Sequence, residues 1–309
     1  MAGVNSLVVQ ANCHKVVKLS GVLQEFVPGG EVVENVHGIR EVFLEEGQRR
    51  SRSHATTSTN TNEEEVSAER KGVYFIGKLL WAKGFDLLLE LETYFRHKTG
   101  EYFDIDVYGS GPDEEEIKRA FSGGLGEEGS GGILYSFMGS NSSRRQRLPV
   151  NFMGRLDHSK LAGDSYSIFV NPSLTEVLCT TTAEAIAMGK WVVIPSHPSN
   201  AFFERFPNCL MYRSRRGFVT QLRTALENEP PPLSYELAKL LSWDAATMRC
   251  VSAAAISKRD AARSRRMNRA KEERPLKKAL SGFFNTASSK EESSSTPMVE
   301  KRVGRSISR

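Results

Sequence analysis

Short apolar segments alternate with segments of helical length between residues 72 and 250. The apolar segments are mostly continuous runs, which is typical of strands buried on both faces of a sheet. We predict strands at GVYFIG (72–77), YFDIDVYGSG (102–111, ending in a glycine turn), VNFMG (150–154), YSIFVNPS (166–173), KWVVIP (190–195) and CLMYR (209–213). We predict helices at 85–97, 112–121, 179–189, 216–228, 233–241 and 243–269. This order predicts an α/β fold, a doubly wound parallel sheet with helices on both faces.

The remainder of the chain has a different character. Residues 13–44 hold two apolar runs on either side of PGG, which predicts two strands and a turn. Residues 47–70 are polar and rich in Ser, Thr and Asn, which predicts a flexible linker or surface insertion, and residues 122–148 are predicted to loop out. We therefore divide the chain into residues 1–46, a linker (47–70), a ligand-binding domain (71–257) and a tail (258–309).

Basic charge is concentrated at the carboxyl end. The chain has a net charge of +5, but from Lys258 onward it holds 15 Lys and Arg against 6 Asp and Glu, a net +9 that leaves −4 on the rest. We expect a solvated, disordered tail. The composition leaves open a basic helix running to Pro275 that lies on an anionic membrane surface. We expect no nucleic-acid partner.

The sequence favours a reducing compartment. Its four cysteines are scattered and form no CxxC pair, which argues against a zinc site and against a disulfide scaffold. No apolar run reaches the roughly 18 to 20 residues that cross a bilayer. The first residues, MAGVNSLVVQANCHK, lack the charged start and long apolar stretch of a signal peptide.

Several predicted strands end in turns that contain glycine, namely Gly77, Gly109, Gly111 and Gly154. In a doubly wound sheet, ligands bind outside the carboxyl ends of the strands, and these turns fall at that edge. Ordinary turn chemistry explains each glycine taken singly. Together they indicate where a ligand would bind.

The segment TEVLCTTTAEAIAMG (175–189) contains two carboxylates. Glu176 and Glu184 stand eight positions apart with three threonines between them. A helix starting near Leu178 offers free N–H groups to a phosphate, and eight helical residues rise about 12 Å. We predict that the acids hold the two ends of a nucleotide-sugar, with its phosphates at the helix start. The alternatives are an acid that stabilises the helix dipole and an acid on a solvated face; the small apolar neighbours of Glu184 weigh against the second.

Two lysines follow the first buried strand, in GKLLWAKG. Lys78 and Lys83 precede the next predicted helix, so they fall at the same sheet edge. An ammonium and a phosphate about 4 Å apart attract by roughly 4 kcal/mol at an effective dielectric of 20, before desolvation is deducted. We predict that they neutralise phosphates; two exposed loop lysines are the alternative.

These residues resemble the retaining GT-B glycosyltransferases. Two glutamates separated by seven residues, followed by AMGKWVV, resemble the E-x7-E signature of that family, and GKLLWAKGFDLLLE resembles its diphosphate segment. VYGSGP and VNFMGRLDH resemble its next two nucleotide-side segments. More narrowly, NFMGRLDH, VNPSLTEVLCTTTAEAIAMGK and SHPSNAFFERFPNCLMY are similar to the plant and algal digalactosyldiacylglycerol synthases. The resemblance covers residues 13–46 and 71–255.

The resemblance implies the donor-binding, C-terminal half of a GT-B enzyme. It implies UDP-galactose as the donor substrate, monogalactosyldiacylglycerol at a membrane surface as the acceptor, and transfer with retention of configuration. It implies no cofactor and no metal ion, because basic side chains and a helix N-terminus take the charge of the leaving UDP. It also implies a peripheral location on the chloroplast outer membrane.

The resemblance also implies roles for individual residues. Glu176 would be the catalytic-site acid that holds the galactosyl hydroxyls, and Glu184 would bind the ribose. The diphosphate would lie against Gly77, Lys78, Lys83, Thr180 and Thr181. Arg155 and Leu156 would lie near the uracil.

The sequence departs from the family pattern before residue 71. A GT-B enzyme has two Rossmann-like halves, and residues 13–46 resemble only the last strand and crossover of the first. We therefore expect structural or linker roles for His14 and His37, and negligible transfer by this chain alone. Two other functions stay open: a non-catalytic nucleotide-sugar-binding or scaffold protein, and a transferase with a different acceptor.

Overall fold

The computed structural model describes residues 15–25, 30–57, 72–123, 147–163 and 166–263, with the positions 9, 13, 27, 265–267 and 269–270. The chain divides into two compact units, one of residues Val16–Ala255 and one of Met1–Lys15 with Ile256–Arg309. The first unit holds the sheet, and the second is described only in part. No helix among the described residues is both long enough and apolar enough to cross a membrane.

A six-stranded parallel sheet forms the centre of the first unit, as predicted. Its strands are β3 (Gly72–Ile76), β4 (Ile105–Tyr108), β5 (Val150–Gly154), β6 (Tyr166–Val170), β7 (Trp191–Pro195) and β8 (Cys209–Tyr212). Their order is β5-β4-β3-β6-β7-β8, in which the chain moves outward from β3 in one direction, returns, and moves outward from β6 in the other. This order confirms the doubly wound α/β fold.

Helices cover both faces of the sheet because successive strand side chains point to opposite sides. The helices are α1 (Glu41–Thr57), α2 (Phe85–Thr99), α3 (Glu114–Phe121), α4 (Thr180–Ala187), α5 (Arg215–Glu227), α6 (Tyr235–Lys239) and α7 (Trp243–Ala254). In β3, Val73 and Phe75 join the core under α2, α3 and α5, whereas Tyr74 and Ile76 join the core under α1 and α4. Among the described residues, 3₁₀ helices also form in the connections, at Trp81–Lys83, His158–Leu161 and Pro198–Arg205.

Helix α1 occupies the first part of the predicted linker, so the prediction for residues 47–57 is wrong. Phe43 is fully buried, and the Cα of Gly47 lies so close to α4 that an added Cβ would be 1.9 Å from the Ala187 carbonyl oxygen. Glu46, one turn on from Phe43, accepts hydrogen bonds from Arg49 and Arg50. The polar composition of these residues led to the prediction of a linker, whereas the packing of the start of the helix against the core stabilises it. Residues 58–70 lie outside the described residues.

The two strands predicted within residues 13–44 exist, but a tight turn does not join them. Strands β1 (Val16–Lys18) and β2 (Glu31–Val33) pair in parallel, and parallel strands require a longer crossover. Lys18 and Glu31 form a 3.0 Å ion pair across them. Pro28 and Gly29 of the predicted turn lie outside the described residues.

Two other predicted boundaries change. The helix predicted at 243–269 ends at Ala254, and Ala255 is extended (φ −60°, ψ 133°). In the second unit, Ser257 accepts from the Asp260 N–H at 3.0 Å and so caps a new helical segment at residues 258–263.

The predicted loop 122–148 is closed at its base, because the Leu148 N–H donates to the Phe121 carbonyl. Residues 124–146 lie outside the described part.

Glycines allow the turns after β3 and β4 to touch. The Gly109 backbone has φ +142°, and an added Cβ would lie 1.8 Å from the Gly77 carbonyl oxygen. The Gly77 N–H donates to the Tyr108 carbonyl, and the Gly109 N–H donates to the Gly154 carbonyl. Hydrogen bonds therefore join the three turns that end β3, β4 and β5.

We predict that Gly109→Ala destabilises the protein by about 3 kcal/mol or more, because the new methyl group collides with backbone at a positive φ. Gly100→Ala is the matched control: Gly100 also has a positive φ of +84°, but nothing lies within 4 Å of an added Cβ. We expect it to cost about 1 kcal/mol. Denaturant unfolding of both variants checks this, and equal losses would contradict the close approach.

A second prediction concerns Glu92 of α2, which is fully buried. Burial raises the pKa of this carboxyl group from its ordinary value of 4.5 to about 9. The folded state therefore keeps a proton that the unfolded state releases, and stability falls as the pH rises from 4.5 to 9. We expect Glu92→Gln to raise the free energy of unfolding by about 2 kcal/mol or more at pH 8.

At pH 5 the same substitution is expected to have little effect, because the carboxyl group is then protonated in wild type. Thermal melts at the two pH values measure the difference, with exposed Glu101→Gln as the control. A Glu92→Gln effect independent of pH would show that Glu92 is ionised in the fold.

Candidate functional site

The turns after β3, β4, β5 and β6 enclose a cavity of about 600 Å³ at the carboxyl edge of the sheet. Strands β3 and β6 are neighbours, and the connections that follow them run toward opposite ends of the sheet. A crevice forms at such a point because the two connections diverge. Eight of the nine residues predicted for the site line this cavity: Gly77, Lys78, Lys83, Arg155, Leu156, Glu176, Thr180 and Thr181.

Helix α4 presents its N-terminus to the cavity. It begins at Thr180, and its N-cap residue Cys179 makes no side-chain capping bond to the helix. Thr180 and Thr181 line the cavity, and the first turn contains no acidic residue. The partial positive charge of this helix end and its amide hydrogens suit an anionic ligand.

Glu176 is not on the helix, so the predicted 12 Å spacing of the two acids along one helix is wrong. It lies in the loop of residues 171–179 between β6 and α4. Side chains in that loop bind backbone groups in place of a helical ladder: Asn171 Oδ1 accepts from the Ser173 N–H, and Thr175 Oγ1 donates to the Ala82 carbonyl. These bonds delay the start of the helix and hold the loop against the β3 side of the cavity.

Glu176 pairs with Lys83. The distance from Lys83 Nζ to Glu176 Oε1 is 2.6 Å, and the side chains are 25% and 17% exposed. Gly84, which follows Lys83, packs against the Pro172 backbone, where an added Cβ would be 2.9 Å away. This contact brings the two loops together. Lys78, also in the lining, is exposed to solvent.

Glu184, the ninth predicted residue, lies one turn into α4 and is not among the residues that line the cavity. It binds His158, which is one of them. The distance from His158 Nδ1 to Glu184 Oε2 is 2.8 Å. This hydrogen bond raises the pKa of His158 above 6.5, against the opposing effect of burial. His158 lies within the segment NFMGRLDH but is not among the residues that the sequence predicted for the site. Its position after the carboxyl end of β5 was the available signal.

Of the two histidines for which the sequence predicted no part in the site, His37 lies among the described residues. His37 is half-buried, its ring meets Trp243 edge-on with centroids 5.0 Å apart, and burial lowers its pKa. Glu184 acts on it electrostatically in the opposite direction. His14 lies outside the described residues.

Comparisons with known proteins agree with the fold. The family model described as glycosyl transferases group 1 matches residues 70–228. Sucrose-phosphate synthase from Thermosynechococcus elongatus has a TM-score of 0.53 at 16% identity, covering 81% of this chain and 60% of that one. TarM has a TM-score of 0.51 at 12% identity, covering 83% and 46%. At such identities the similarity concerns the fold alone.

Curated relatives confirm the resemblance found in the sequence. Digalactosyldiacylglycerol synthase 1, chloroplastic, of Glycine max is 40% identical over 255 residues, 80% of this chain and 27% of the relative. Digalactosyldiacylglycerol synthase 2, chloroplastic, of Arabidopsis thaliana is 39% identical over 247 residues, 80% of this chain and 45% of the relative. The chain thus spans less than half the length of either protein. By the family model and these relatives, the chain belongs to the group 1 glycosyltransferases.

Proposed function

We propose that this chain binds UDP-galactose and serves as the donor-binding part of a retaining galactosyltransferase that makes digalactosyldiacylglycerol from monogalactosyldiacylglycerol. One observation supports the proposal that the chain binds the nucleotide-sugar donor. The Lys83–Glu176 pair, Lys78 and the N-terminus of α4 meet around one cavity at the point where the sheet connections diverge. This combination suits a ligand that has a diphosphate between two hydroxyl-bearing groups.

The diphosphate would lie between Lys78 and the first turn of α4. The amide hydrogens of Thr180 and Thr181 and the Lys78 ammonium would stabilise the negative charge that grows on UDP as the sugar leaves. Because the helix fixes its amide hydrogens before the ligand arrives, these donors need little rearrangement during the reaction. The donor set contains side chains and amides, so it fits a diphosphate without a cofactor.

Glu176 would meet the galactosyl group. A carboxylate accepts more than one O–H hydrogen bond, and Glu176 has one oxygen held by Lys83. Lys83 would contact the diphosphate and Glu176 at once, which fixes the sugar relative to its leaving group. On the other side of the phosphates, Arg155 and Leu156 would contact the uracil, with Glu184 on the ribose side.

The acceptor and the location rest on the relatives. Both carry the word chloroplastic in their names and both are named as synthases of a galactolipid. We propose monogalactosyldiacylglycerol as the acceptor, and a peripheral position on the chloroplast outer membrane. Contact of the basic tail with anionic lipid belongs to the same proposal.

The acceptor is tested with this chain joined to the N-terminal half of a digalactosyldiacylglycerol synthase, because negligible transfer is expected from this chain alone. The assay follows label from UDP-[¹⁴C]galactose into lipid on vesicles that contain monogalactosyldiacylglycerol. Label in digalactosyldiacylglycerol supports it, and label in another product contradicts it. Binding of the nucleotide-sugar with no transfer under any condition favours a binding protein derived from a transferase.

We predict that wild type binds UDP, and that Lys78→Ala weakens this binding about tenfold, because a charged hydrogen-bond donor to the diphosphate is lost. The matched control is Lys239→Ala, an exposed lysine on α6 outside the cavity lining. Calorimetric titration with UDP, UDP-galactose and UDP-glucose measures the affinities. Failure of wild type to bind UDP would contradict the proposed function.

We also predict that Glu176→Gln separates the sugar from the phosphates. Removing the carboxylate leaves Lys83 without its ion-pair partner, so UDP is expected to bind at least as tightly as to wild type. Any advantage of UDP-galactose over UDP is expected to shrink, because the amide replaces the acceptor of the sugar hydroxyls. A large loss of UDP affinity in this variant would place Glu176 on the nucleotide side.

A further inference from the structure

A second cavity, of about 200 Å³, lies at the carboxyl ends of β6, β7 and β8, next to α2 and the start of α5. It shares no lining residue with the larger cavity around Glu176. Strands β7 and β8 end together, and the Ser196 N–H donates to the Tyr212 carbonyl just beyond them. The connections then leave on opposite faces of the sheet, because Phe203 joins one core and Phe218 the other. The second cavity forms in the gap between these connections.

The walls of the second cavity are largely apolar. Pro172 follows β6 and Pro195 ends β7, and both are buried, as is Leu91 of α2. Leu87, one turn before Leu91, is half-buried, whereas Leu174 is 45% exposed. Proline and leucine side chains neither donate nor accept hydrogen bonds, so water gains little from these walls. A hydrocarbon group that fills the cavity removes this apolar surface from water.

Charged side chains line the exposed side of the cavity. The Arg215 guanidinium donates to Glu90 Oε1 at 2.6 Å and lies 5.2 Å from the centroid of the Tyr94 ring, which holds it in place. Arg213 is exposed, and it has no hydrogen-bond or ion-pair partner among the described residues. Glu90 is the one acid among the lining residues, so two arginines and one glutamate leave a net charge of +1. The charge of the lining therefore favours an anionic ligand.

The volume of the cavity limits the ligand to one chain. A space of about 200 Å³ holds roughly seven groups of the size of a water molecule, and a methylene group is of similar size. A guanidinium group binds a carboxylate or phosphate through parallel N–H donors, whereas an uncharged apolar group would leave Arg213 unused. Volume, walls and charge thus agree on an alkyl chain with one anionic end.

We propose that the second cavity binds a single alkyl chain that ends in an anionic oxygen group, with the chain against the apolar walls and the anionic group on Arg213. A free fatty acid and an anionic membrane lipid both present this chemistry. The site is separate from the proposed nucleotide-sugar site and does not depend on it. Pro172 and Leu174 belong to the loop of residues 171–179 that also holds Glu176, so a bound chain contacts a loop that lines the larger cavity.

Calorimetric titration of the chain with hexanoate, octanoate and decanoate tests the walls. These carboxylates are ionised at pH 7. Each buried methylene group strengthens binding roughly fourfold, so octanoate is expected to bind about tenfold or more tightly than hexanoate. Decanoate is expected to gain little beyond octanoate, because its last groups lie outside the filled cavity. Octanoate is also expected to bind about threefold or more tightly than octanol, which lacks the charge.

Two variants test the walls and the charge separately. Leu174→Asp replaces an exposed wall residue with a negative charge, so octanoate binding is expected to fall about tenfold or more at an unchanged melting temperature. Its control is Met153→Asp, which adds the same charge at an exposed position outside the cavity lining. Arg213→Ala is expected to abolish the preference for octanoate over octanol. Arg216→Ala, an exposed arginine of α5 outside the lining, removes the same charge and should keep that preference.

Vesicle flotation distinguishes the two sources of the chain. The vesicles contain phosphatidylcholine with or without phosphatidylglycerol, and the basic tail is present in every variant. If the source is a membrane lipid, octanoate reduces binding to the phosphatidylglycerol vesicles, and Arg213→Ala weakens that binding more than Arg216→Ala. If octanoate binds in solution but leaves vesicle binding unchanged, the source is a free fatty acid.

Three results would overturn the inference. They are no binding of octanoate to wild type, equal affinity of wild type for octanoate and octanol, and equal octanoate affinity of wild type and a folded Leu174→Asp. An affinity that keeps rising to decanoate also counts against it, because it indicates adsorption to an open surface. Should Leu174→Asp unfold, the chain-length series and the comparison of Arg213→Ala with Arg216→Ala still decide. Binding of UDP enters none of these outcomes, so the proposed function can fail without the inference, and the reverse.

Discussion

The divergence of the connections after β3 and β6 is the constraint on which the site depends. The two strands are hydrogen-bonded neighbours, yet one leads outward to β4 and the other to β7. Backbone cannot cover the gap between them, so the loops on its two sides face each other across open space. The Lys83–Glu176 ion pair joins those two loops, one residue from each side. The geometry of the candidate site is therefore a consequence of strand order.

The central strands β3, β6 and β7 were predictable because they are buried on both faces, which favours apolar side chains at successive positions. GVYFIG became Gly72–Ile76 and KWVVIP became Trp191–Pro195. Helix α1 was not predictable in the same way, because its polar composition is compatible with a linker. What holds it is tertiary: Phe43 in the core, and a glycine close enough to touch the α4 backbone.

The site was predictable in outline and not in its internal contacts. Lys78, Arg155 and Glu176 follow strand ends, and the carboxyl ends of parallel strands gather at one edge, so sequence order alone brought them together. The pairing of His158 with Glu184 joins residues 26 positions apart, on different elements. No periodicity encodes such a contact. The late start of α4 after Glu176 is similarly decided by side-chain bonds to a neighbouring loop.

Each of the two glutamates at the cavity is paired with a basic side chain, which reduces the repulsion that the carboxylates would otherwise exert on an anionic ligand. Two half-buried carboxylates would repel a diphosphate, and burying them alone would cost several kcal/mol. Lys83 and His158 offset this by binding Glu176 and Glu184 before any ligand is present. The carboxylates remain as acceptors for hydroxyl groups, while the charge that an anion meets is set by Lys78, Arg155 and the amide hydrogens of α4. A domain with net negative charge can thus present a positive site to an anionic ligand. Salt screens charges that lie more than about 10 Å away, so the ligand responds to the charged groups that line the cavity and not to the net charge of the whole surface.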